Sequence, residues 1–350
     1  METEEFSTKS RVRGDFQARF CEKGRVKFPP TYSTVSLINT EGASKAFIAL
    51  IDAVSRGIGT LYEPWRIRKN ADAKAYEMQT LAEAEKKKNE ILSAAEAQTG
   101  KIIPQEQLQA IVSRIVGKEI VRQENIDRVV SIALENLGKA KAISDKKVET
   151  DWLTRFFDIV EDISDDELRN AWGKVLSQEI QTPGSFSLRT LSTIRNLAKN
   201  EAELFASLGI NVFSSANTKF FLKSKNSILG SNVQYDAITL LMECGLIKEN
   251  DDLAFSYRTT PDEKTKFAFT YQDLAVIIEL DKGDYEINVD IYELTRAGSE
   301  IYKILNVEKD MSLLEKAASI IKKTNVSFAY SKLIGVSGNT INSEKDLTYL

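Results

Sequence analysis

The stretch DWLTRFFDIVEDISDDELRNAW, residues 151–172, carries the strongest structural signal in this sequence of 350 residues. Its large apolar side chains recur at spacings of three and four residues, which places them on one face of a helix. The residues on this face are Trp152, Phe156, Ile159, Val160 and Ile163. Ser164 and Glu167 then have the spacing of a capping box, in which both side chains meet free backbone N–H groups of a new helix. The stretch therefore predicts two consecutive core helices, with Trp172 turned inward on the second.

Helical patterns fill the chain on both sides of this stretch, between residues 43 and 208. The run over 65–97 is rich in Ala, Glu and Lys and contains no Gly or Pro, so it predicts a long helix. Residues 105–141 predict either one long helix or two shorter ones, with apolar side chains on matching faces. Pro183-Gly184 predicts a sharp turn before a further short helix.

Short β-rich runs appear beyond Gly209, around a few helices. A helix ending at Gly245-Leu246-Ile247, polar strands, and a closing helix after Leu294-Thr295-x-x-Gly298 resemble winged-helix proteins in outline. We therefore predict a mainly α protein, with a helical N-terminal domain that contains a long helix and a C-terminal α+β winged-helix-like domain. Its predicted parts are a polar arm (1–42), an amphipathic helix and long helix (43–100), a helical core domain (101–208) and the winged-helix-like domain (209–350).

The composition excludes several common kinds of active site. The sequence has no histidine, and its cysteines are Cys21 and Cys244. These counts exclude Ser/His and Cys/His catalysis, His-ligated metals, zinc clusters and a disulfide framework. Gly117-Lys118 and Gly138-Lys139 lack the earlier glycine of a phosphate-binding P-loop. We predict no catalytic residue, no metal site and no cofactor; a metal-dependent nuclease that uses carboxylates alone stays open as a third alternative.

The N-terminus carries Glu2, Glu4 and Glu5 where a secretory signal needs basic residues followed by an apolar run. No stretch approaches the roughly 20 apolar residues that span a bilayer. Two lone cysteines suit a reducing compartment. We expect a cytoplasmic protein, with peripheral attachment at the inner membrane as a second option.

The first candidate surface is an apolar helix face followed by aromatic and cationic side chains. An interfacial helix needs this order, because rings lie at the headgroup level of a membrane and cations meet anionic lipid. The same face would also pack inside the protein or against a protein partner. The candidate contact residues are Phe47, Leu50, Ile51, Val54, Ile58, Leu61, Trp65, Arg66, Arg68 and Lys69.

The second candidate surface lies between residues 204 and 235. Lys219, Lys223 and Lys225 stand there with Phe220 and Phe221 among them, and lysines beside exposed rings can hold phosphates and stack bases. The net charge of −4 offers no overall attraction for nucleic acid. The acidic balance of the whole chain favours the other interpretation, a solvated basic hairpin with Phe220 or Phe221 turned into the core.

Three blocks in the middle of the chain resemble a bacterial family, domain of unknown function 2806 (DUF2806). They are Asp151-Trp152-Leu153-Thr154-Arg155-Phe156-Phe157, Ser164-Asp165-Asp166-Glu167-Leu168, and Pro183-Gly184-Ser185-Phe186-Ser187-Leu188-Arg189-Thr190-Leu191. The resemblance implies a protein of bacteria and their mobile elements, and it assigns no catalytic residue. Segments similar to Tyr62-Glu63-Pro64-Trp65-Arg66-Ile67-Arg68 occur in abortive-infection proteins.

These observations favour a non-enzymatic bacterial protein of defence against phage, which acts by association through its N-terminal helices. The expected partner is another protein or a second copy of the chain, and an anionic membrane surface is a further option. The alternative is a nucleic-acid-binding sensor that uses the three lysines and the winged-helix-like domain.

Overall fold

The structure is a computed structural model that describes residues 41–59, 86, 105–140, 142–215, 218–250, 252–259, 261–321, 325–338 and 340–350. Six α-helices with described bounds and a short 3-10 helix (Gly209–Asn211) precede the strands within these residues. The α-helices are α1 (Glu41–Ile58), α2 (Gln105–Leu137), α3 (Thr150–Val160), α4 (Asp166–Gln181), α5 (Leu188–Asn196) and α6 (Lys199–Leu208). Residues 105–137 thus form one long helix, which decides between the two alternatives that the sequence left open.

Helix α3 lies at the centre of the helical core, as its apolar face predicts. The Phe156 ring is fully buried and contacts the rings of Trp152, Phe157 and Trp172 at centroid distances of 5.1 to 5.5 Å. Helix α4 packs closely along α2 at Gly173, where a Cβ atom would lie only 2.5 Å from Cγ2 of Ile132. The aromatic cluster therefore joins α3 to α4, and the missing side chain at position 173 brings α4 against α2.

The start of α4 differs from the predicted capping box. Its N-cap is Asp165, whose carboxylate accepts hydrogen bonds from the backbone N–H groups of Glu167 and Leu168. The hydrogen bonds from Leu168 and Glu167, with the nearby charges of Lys199 and Arg169, lower the pKa of Asp165. An aspartate and a serine are both good N-caps, so sequence spacing alone does not separate neighbouring cap positions.

Ten strands form one antiparallel sheet, which curls into a half-barrel. They are β1 (Val212–Ser215), β2 (Thr218–Ser224), β3 (Ser227–Ile228), β4 (Ala254–Arg258), β5 (Thr265–Tyr271), β6 (Leu274–Leu280), β7 (Glu286–Glu293), β8 (Val326–Ser337), β9 (Thr340–Ser343) and β10 (Thr348–Tyr349). The order across the sheet is β10-β8-β6-β5-β1-β2-β7-β4, with β3 paired to β2 and β9 to β8.

Each face of the sheet has its own hydrophobic core. Helices α7 (Tyr235–Glu243) and α8 (Arg296–Tyr302) belong to the core of the N-terminal helices, together with Phe221 and Tyr292 of the sheet. Helix α9 (Met311–Ile321) belongs to the core on the opposite face, with Phe220. Successive residues of β2 thus enter different cores, as the alternation of side chains along a strand requires. The predicted domain boundary near Leu208 stays a prediction, and one core includes side chains from both sides of it.

The prediction of a mainly α protein with a winged-helix-like domain is wrong. The described structure is 48% helix and 24% strand, and its C-terminal region is built on the ten-stranded sheet. The local motif does exist: Thr295 caps α8, and the absence of a side chain at Gly298 lets the helix approach the carbonyl oxygen of Leu246. The strands between the two motif helices do not form a separate wing, however, because they pair with β1, β2 and the twelve-residue β8.

Two buried carboxylates hold the turn between α4 and α5. Glu179 accepts hydrogen bonds from the backbone N–H groups of Gly184 (2.5 Å) and Phe186 (2.9 Å). Glu300 of α8 accepts from the N–H of Ser187 (2.7 Å) and from Oγ1 of Thr190 (2.5 Å). Glu300 therefore ties the helix after β7 to the start of α5, more than a hundred residues earlier in the chain.

The pKa values of the two carboxyl groups are shifted in opposite directions. Burial raises the pKa of Glu179 and prevails over the backbone N–H groups that it accepts from. Burial acts on Glu300 in the same sense, but the hydrogen bonds from Thr190, Ser187 and Arg296 prevail and lower its pKa. The stabilising contribution of ionised Glu300 is therefore fully present above its ordinary pKa of 4.5 and is lost as the pH falls through its lower pKa in the folded protein.

We predict that Glu300→Gln lowers the free energy of unfolding by about 1–3 kcal/mol at pH 7, because buried donors lose a charged acceptor. Chemical denaturation of both proteins between pH 3 and pH 8 measures the difference. The difference should be constant above about pH 5 and shrink as Glu300 becomes protonated. The exposed Glu308→Gln is the matched control and should change stability by less than about 0.5 kcal/mol at any pH. Equal effects of the two substitutions would contradict the role of Glu300.

Candidate interaction surface

Helix α2 extends well beyond the core to which its second half belongs. The first buried side chain of this helix is that of Asn125, and none of the described side chains before it is buried. Relative to the other described residues, residues 105–124 therefore form a projecting half about 30 Å long at 1.5 Å per residue. Arg122 near its inner end makes ion pairs with Glu161 and Asp162. A helix of this length in water usually needs a packing partner, since helical propensity alone is a weak source of stability.

One face of the projecting half continues the core-facing side of α2. Ile115 precedes the buried Ile126 by eleven residues, which is three helical turns, so the two side chains point to the same side. Ile111 and Val112 lie one turn further out on that side and are half-buried. We call these three residues of the projecting half (111, 112 and 115) the inner face.

The opposite side of the projecting half carries a second apolar area. Gly117 precedes Ile126 by nine residues, or two and a half turns, and therefore faces away from the core. Ile120 and Val121 flank Gly117 on this side, with 37% and 49% of their surface exposed. Arg114 and Glu124 lie at the two ends of this area, and neither makes an ion pair with another described residue. These five residues are the outer face.

The glycine of the outer face has no structural role within the chain as described. A Cβ atom built at Gly117 would have nothing within 4 Å, so no neighbour requires the glycine. A glycine in the middle of a helix costs about 1 kcal/mol relative to alanine. The same substitution is sterically excluded in α1, where a Cβ at Gly57 would lie 2.2 Å from the Phe157 ring. Gly117 is thus a local cost that the described part of the chain leaves unexplained.

The predicted contact residues of α1 divide between core and surface. Leu50 and Val54 are completely buried against the helical core, and Ile51 and Ile58 are partly buried beside it. Phe47 keeps 36% of its surface exposed, and its neighbour Ile48, which was not predicted, keeps 66%. The remaining predicted contact residues, Leu61, Trp65, Arg66, Arg68 and Lys69, lie outside the described residues. Contact with a membrane or partner through this set stays a prediction.

The lysines of the second candidate surface lie on and beside β2, without exposed rings. Phe220 and Phe221 are fully buried, one in each core, so neither ring is available to stack on a base. The Nζ atoms of Lys219 and Lys223 lie 5.0 and 4.3 Å from the ring centroids of Tyr302 and Tyr292. Lys225 is exposed at the turn between β2 and β3, with a φ of 57°. Nucleic-acid binding by these lysines stays a prediction.

Among the residues that the structure describes, no group of three or more Cys, Asp or Glu side chains is placed to hold a metal ion. In the same part of the chain, no helix combines the length and the apolar character needed to cross a bilayer.

Sequence periodicity identified the inner face but missed the outer one. The inner face follows the core pattern of α2, and apolar residues at matching spacings reveal it. The outer face contains only two large apolar residues, so it has no comparable periodic signal. Its one sequence signal is Gly117 in the middle of a helical pattern, where a glycine costs stability relative to alanine.

One comparison with known proteins gives a result. A family model described as a protein of unknown function (DUF2806) matches residues 109–317, which is more than half of the chain. The match begins in the projecting half of α2 and ends in α9. Neither the search of curated proteins nor the search of solved structures gives a match.

We predict that Leu50→Ala destabilises the protein by about 2–5 kcal/mol, because it leaves a cavity in the helical core. Ile48→Ala in the same helix should cost less than about 0.5 kcal/mol beyond any change in helix propensity, since Ile48 is mostly exposed. Urea unfolding of both variants measures the difference. Similar stability of the two variants would show that α1 is not a part of the core.

Proposed function

The chain belongs to the DUF2806 family, and we propose that it functions by self-association: two copies pair antiparallel through the outer faces of their α2 helices. The observation that carries the proposal is the outer face itself, an exposed apolar area around an unexplained glycine, on a half-helix that projects from the core. A protein partner of another kind and an anionic membrane are the competing occupants of this face.

The positions of the residues on the outer face favour a second copy as the partner. Two antiparallel helices related by a two-fold axis bring residues together in symmetric pairs about one central position. With Glu119 at the centre, Arg114 of one copy faces Glu124 of the other, and Gly117 faces Val121. Arg114 and Glu124 thus each meet an opposite charge, and Val121 meets the place where a side chain is missing.

Antiparallel pairing would also explain why position 117 is a glycine. Without a side chain at position 117, the backbones of two helices can approach more closely than a larger residue would permit. The cost of about 1 kcal/mol per helix is then offset by the burial of Ile120 and Val121 against the second copy. Both chains use the same surface, as an isologous contact requires.

We predict that Arg114→Glu and Glu124→Arg each weaken the dimer about tenfold, because each substitution replaces two attractive pairs by two repulsive ones. The double variant Arg114→Glu with Glu124→Arg should restore the affinity of the original protein. Sedimentation velocity over a concentration series, at low salt, measures the dissociation constants. Arg155→Glu is the matched control, since Arg155 is exposed on α3 and outside the outer face.

The affinity of the double variant distinguishes a second copy of the chain from the competing partners of the outer face. Exchanging both charges would not restore binding to a different protein or to a lipid surface, because the charges of that partner stay the same. A monomer at every concentration, or a dimer that none of the three variants changes, would contradict the proposal. Flotation of the protein with anionic vesicles in place of dimer formation would assign the face to a membrane.

We further propose that this association serves defence against phage. The proposal rests on a resemblance of Tyr62-Glu63-Pro64-Trp65-Arg66-Ile67-Arg68 to segments of abortive-infection proteins, and the DUF2806 match does not extend to these residues. Phage should form fewer plaques on a lawn of bacteria that produce the protein than on a lawn of bacteria that do not. Arg114→Glu should remove this protection and the double variant should restore it. Equal plaque counts with and without the protein would exclude the defence role and leave self-association to its own test.

A further inference from the structure

Strand β7 has no neighbouring strand on one side of its first half, among the residues that the structure describes. The ladder between β2 and β7 ends at the pair Leu222 and Ile291. On its other side, β7 pairs with β4 over residues Glu286 to Asp290. The first half of β7 therefore pairs with β4 alone. An edge of this kind carries backbone donors and acceptors to which a further strand can pair.

The hydrogen bonds to β4 identify the backbone groups at the open side. The N–H of Ile291 donates to the carbonyl oxygen of Leu253 at 2.9 Å. The N–H of Thr259 donates to the carbonyl oxygen of Tyr285 at 3.0 Å, so the odd-numbered residues in and just before β7 direct their backbone groups toward β4. Asn288 is even-numbered, and its N–H and C=O groups therefore point to the open side. Neither group has a partner among the described residues.

A cavity with aliphatic walls lies along this open side. It has a volume of about 100 Å³, and it is lined both by the last paired residue of β2 and by the first half of β7, so it lies where β2 leaves β7. The aliphatic wall residues are Leu222, Ile287, Val289, Ile320 and Ile321. Ile320, near the end of α9, keeps 44% of its surface exposed. Since an apolar cavity of about 150 Å³ can bind benzene, this one has room for an aliphatic side chain.

Two carboxylates flank the open backbone groups on the other face of β7. Glu286 and Asp290 are exposed and lie two residues before and after Asn288, so their side chains are on the face opposite the aliphatic wall. Neither carboxylate forms an ion pair with another described residue, and Glu286 accepts a hydrogen bond from Ser256. Lys223 also lines the cavity, and its Nζ lies 4.3 Å from the centroid of a tyrosine ring of β7. The open edge thus presents two carboxylates on one face and an apolar cavity on the other.

We propose that the open edge of β7 binds an extended segment of another protein in which a lysine or arginine stands between two aliphatic residues. The segment adds as a strand antiparallel to β7, in line with β2. Its central residue pairs with Asn288, and the two residues exchange backbone hydrogen bonds. Because side chains alternate in direction along a strand, the central cation lies between Glu286 and Asp290, and its aliphatic neighbours turn toward the cavity.

Charge and shape select this partner together. The two carboxylates favour a cation at the central position and disfavour an acidic residue there. The cavity favours an aliphatic side chain beside the cation, since burial of apolar surface is favourable. Backbone hydrogen bonds supply affinity without regard to sequence. This edge is separate from the outer face of α2, and its proposed use requires no dimer.

Fluorescence anisotropy with a labelled heptapeptide, Ser-Thr-Val-Lys-Val-Thr-Ser, capped at both ends, tests the proposal on the whole protein. We expect saturable binding of one peptide per chain. Glutamate in place of the central lysine should weaken binding at least about tenfold, because it faces the two carboxylates of β7. Methylation of the backbone nitrogen of the central lysine should also remove most of the binding, since that N–H donates to Asn288. Methylation of the next valine nitrogen is the matched control, because that N–H points away from β7, and it should leave the affinity unchanged.

Substitutions in the protein give a second measurement. Asp290→Lys should weaken binding about tenfold by repelling the central lysine, and Ile320→Gln about fivefold by placing a polar group at the cavity. Asp346→Lys and Ile334→Gln, at exposed positions outside the cavity, are the matched controls and should leave the affinity unchanged. Thermal unfolding shows whether each variant is folded, and the altered peptides test the proposal on unchanged protein.

Absence of saturable binding, equal affinities of the lysine and glutamate peptides, or equal effects of the two N-methyl groups would overturn the proposal. Sedimentation velocity of Asp290→Lys tests a second copy of the chain as the occupant of this edge. The dimer that forms through α2 should be unaffected by this substitution. Loss of that dimer would assign the open edge to self-association and would also overturn the proposal.

Discussion

The buried carboxylate of Glu300 is the contact on which the arrangement of this protein depends. It lies on the helix that follows the central strands, yet it accepts hydrogen bonds from the first turn of α5. A carboxylate at the N-terminus of a helix is favoured by the free N–H groups there. Glu179 holds the preceding turn in the same way from the other side. The helical core and the sheet are thus joined through backbone donors that would otherwise be left without partners in the interior.

The helical half of the fold was predictable from the sequence, while the sheet was not. Helix α3 has a heavy apolar face, and its Trp152, Phe156 and Val160 lie in the core as that face predicts. The strands carry apolar residues on both faces because each face has its own core, so clear alternation between polar and apolar residues is missing. A local resemblance around Gly245 and Gly298 then suggested a small wing, although the pairing partners of those strands lie far along the chain.

The candidate sites were predictable only where charge or periodicity marks them. Lys219 was a candidate because no acidic residue stands near it in the sequence, but its contacts with Ser214 and with the ring of Tyr302, more than eighty residues away, are set only by the fold. The buried rings of Phe220 and Phe221 could have been assigned to either face of a strand, since both are large and apolar. On α2, the apolar side chains that follow the core pattern are easily recognised in the sequence. Gly117 has no side chain and adds nothing to that pattern, so the outer face around it is not recognised.

The unbroken course of α2 has a mechanical consequence. The helix is 33 residues and about 50 Å long, and its second half is clamped against α4 at Gly173. A force applied at the outer end is therefore transmitted along a stiff lever to the packing between Ile132 and α4. A molecule that binds the N-terminal end of α2 can therefore shift the packing of the helical core without contacting that core itself.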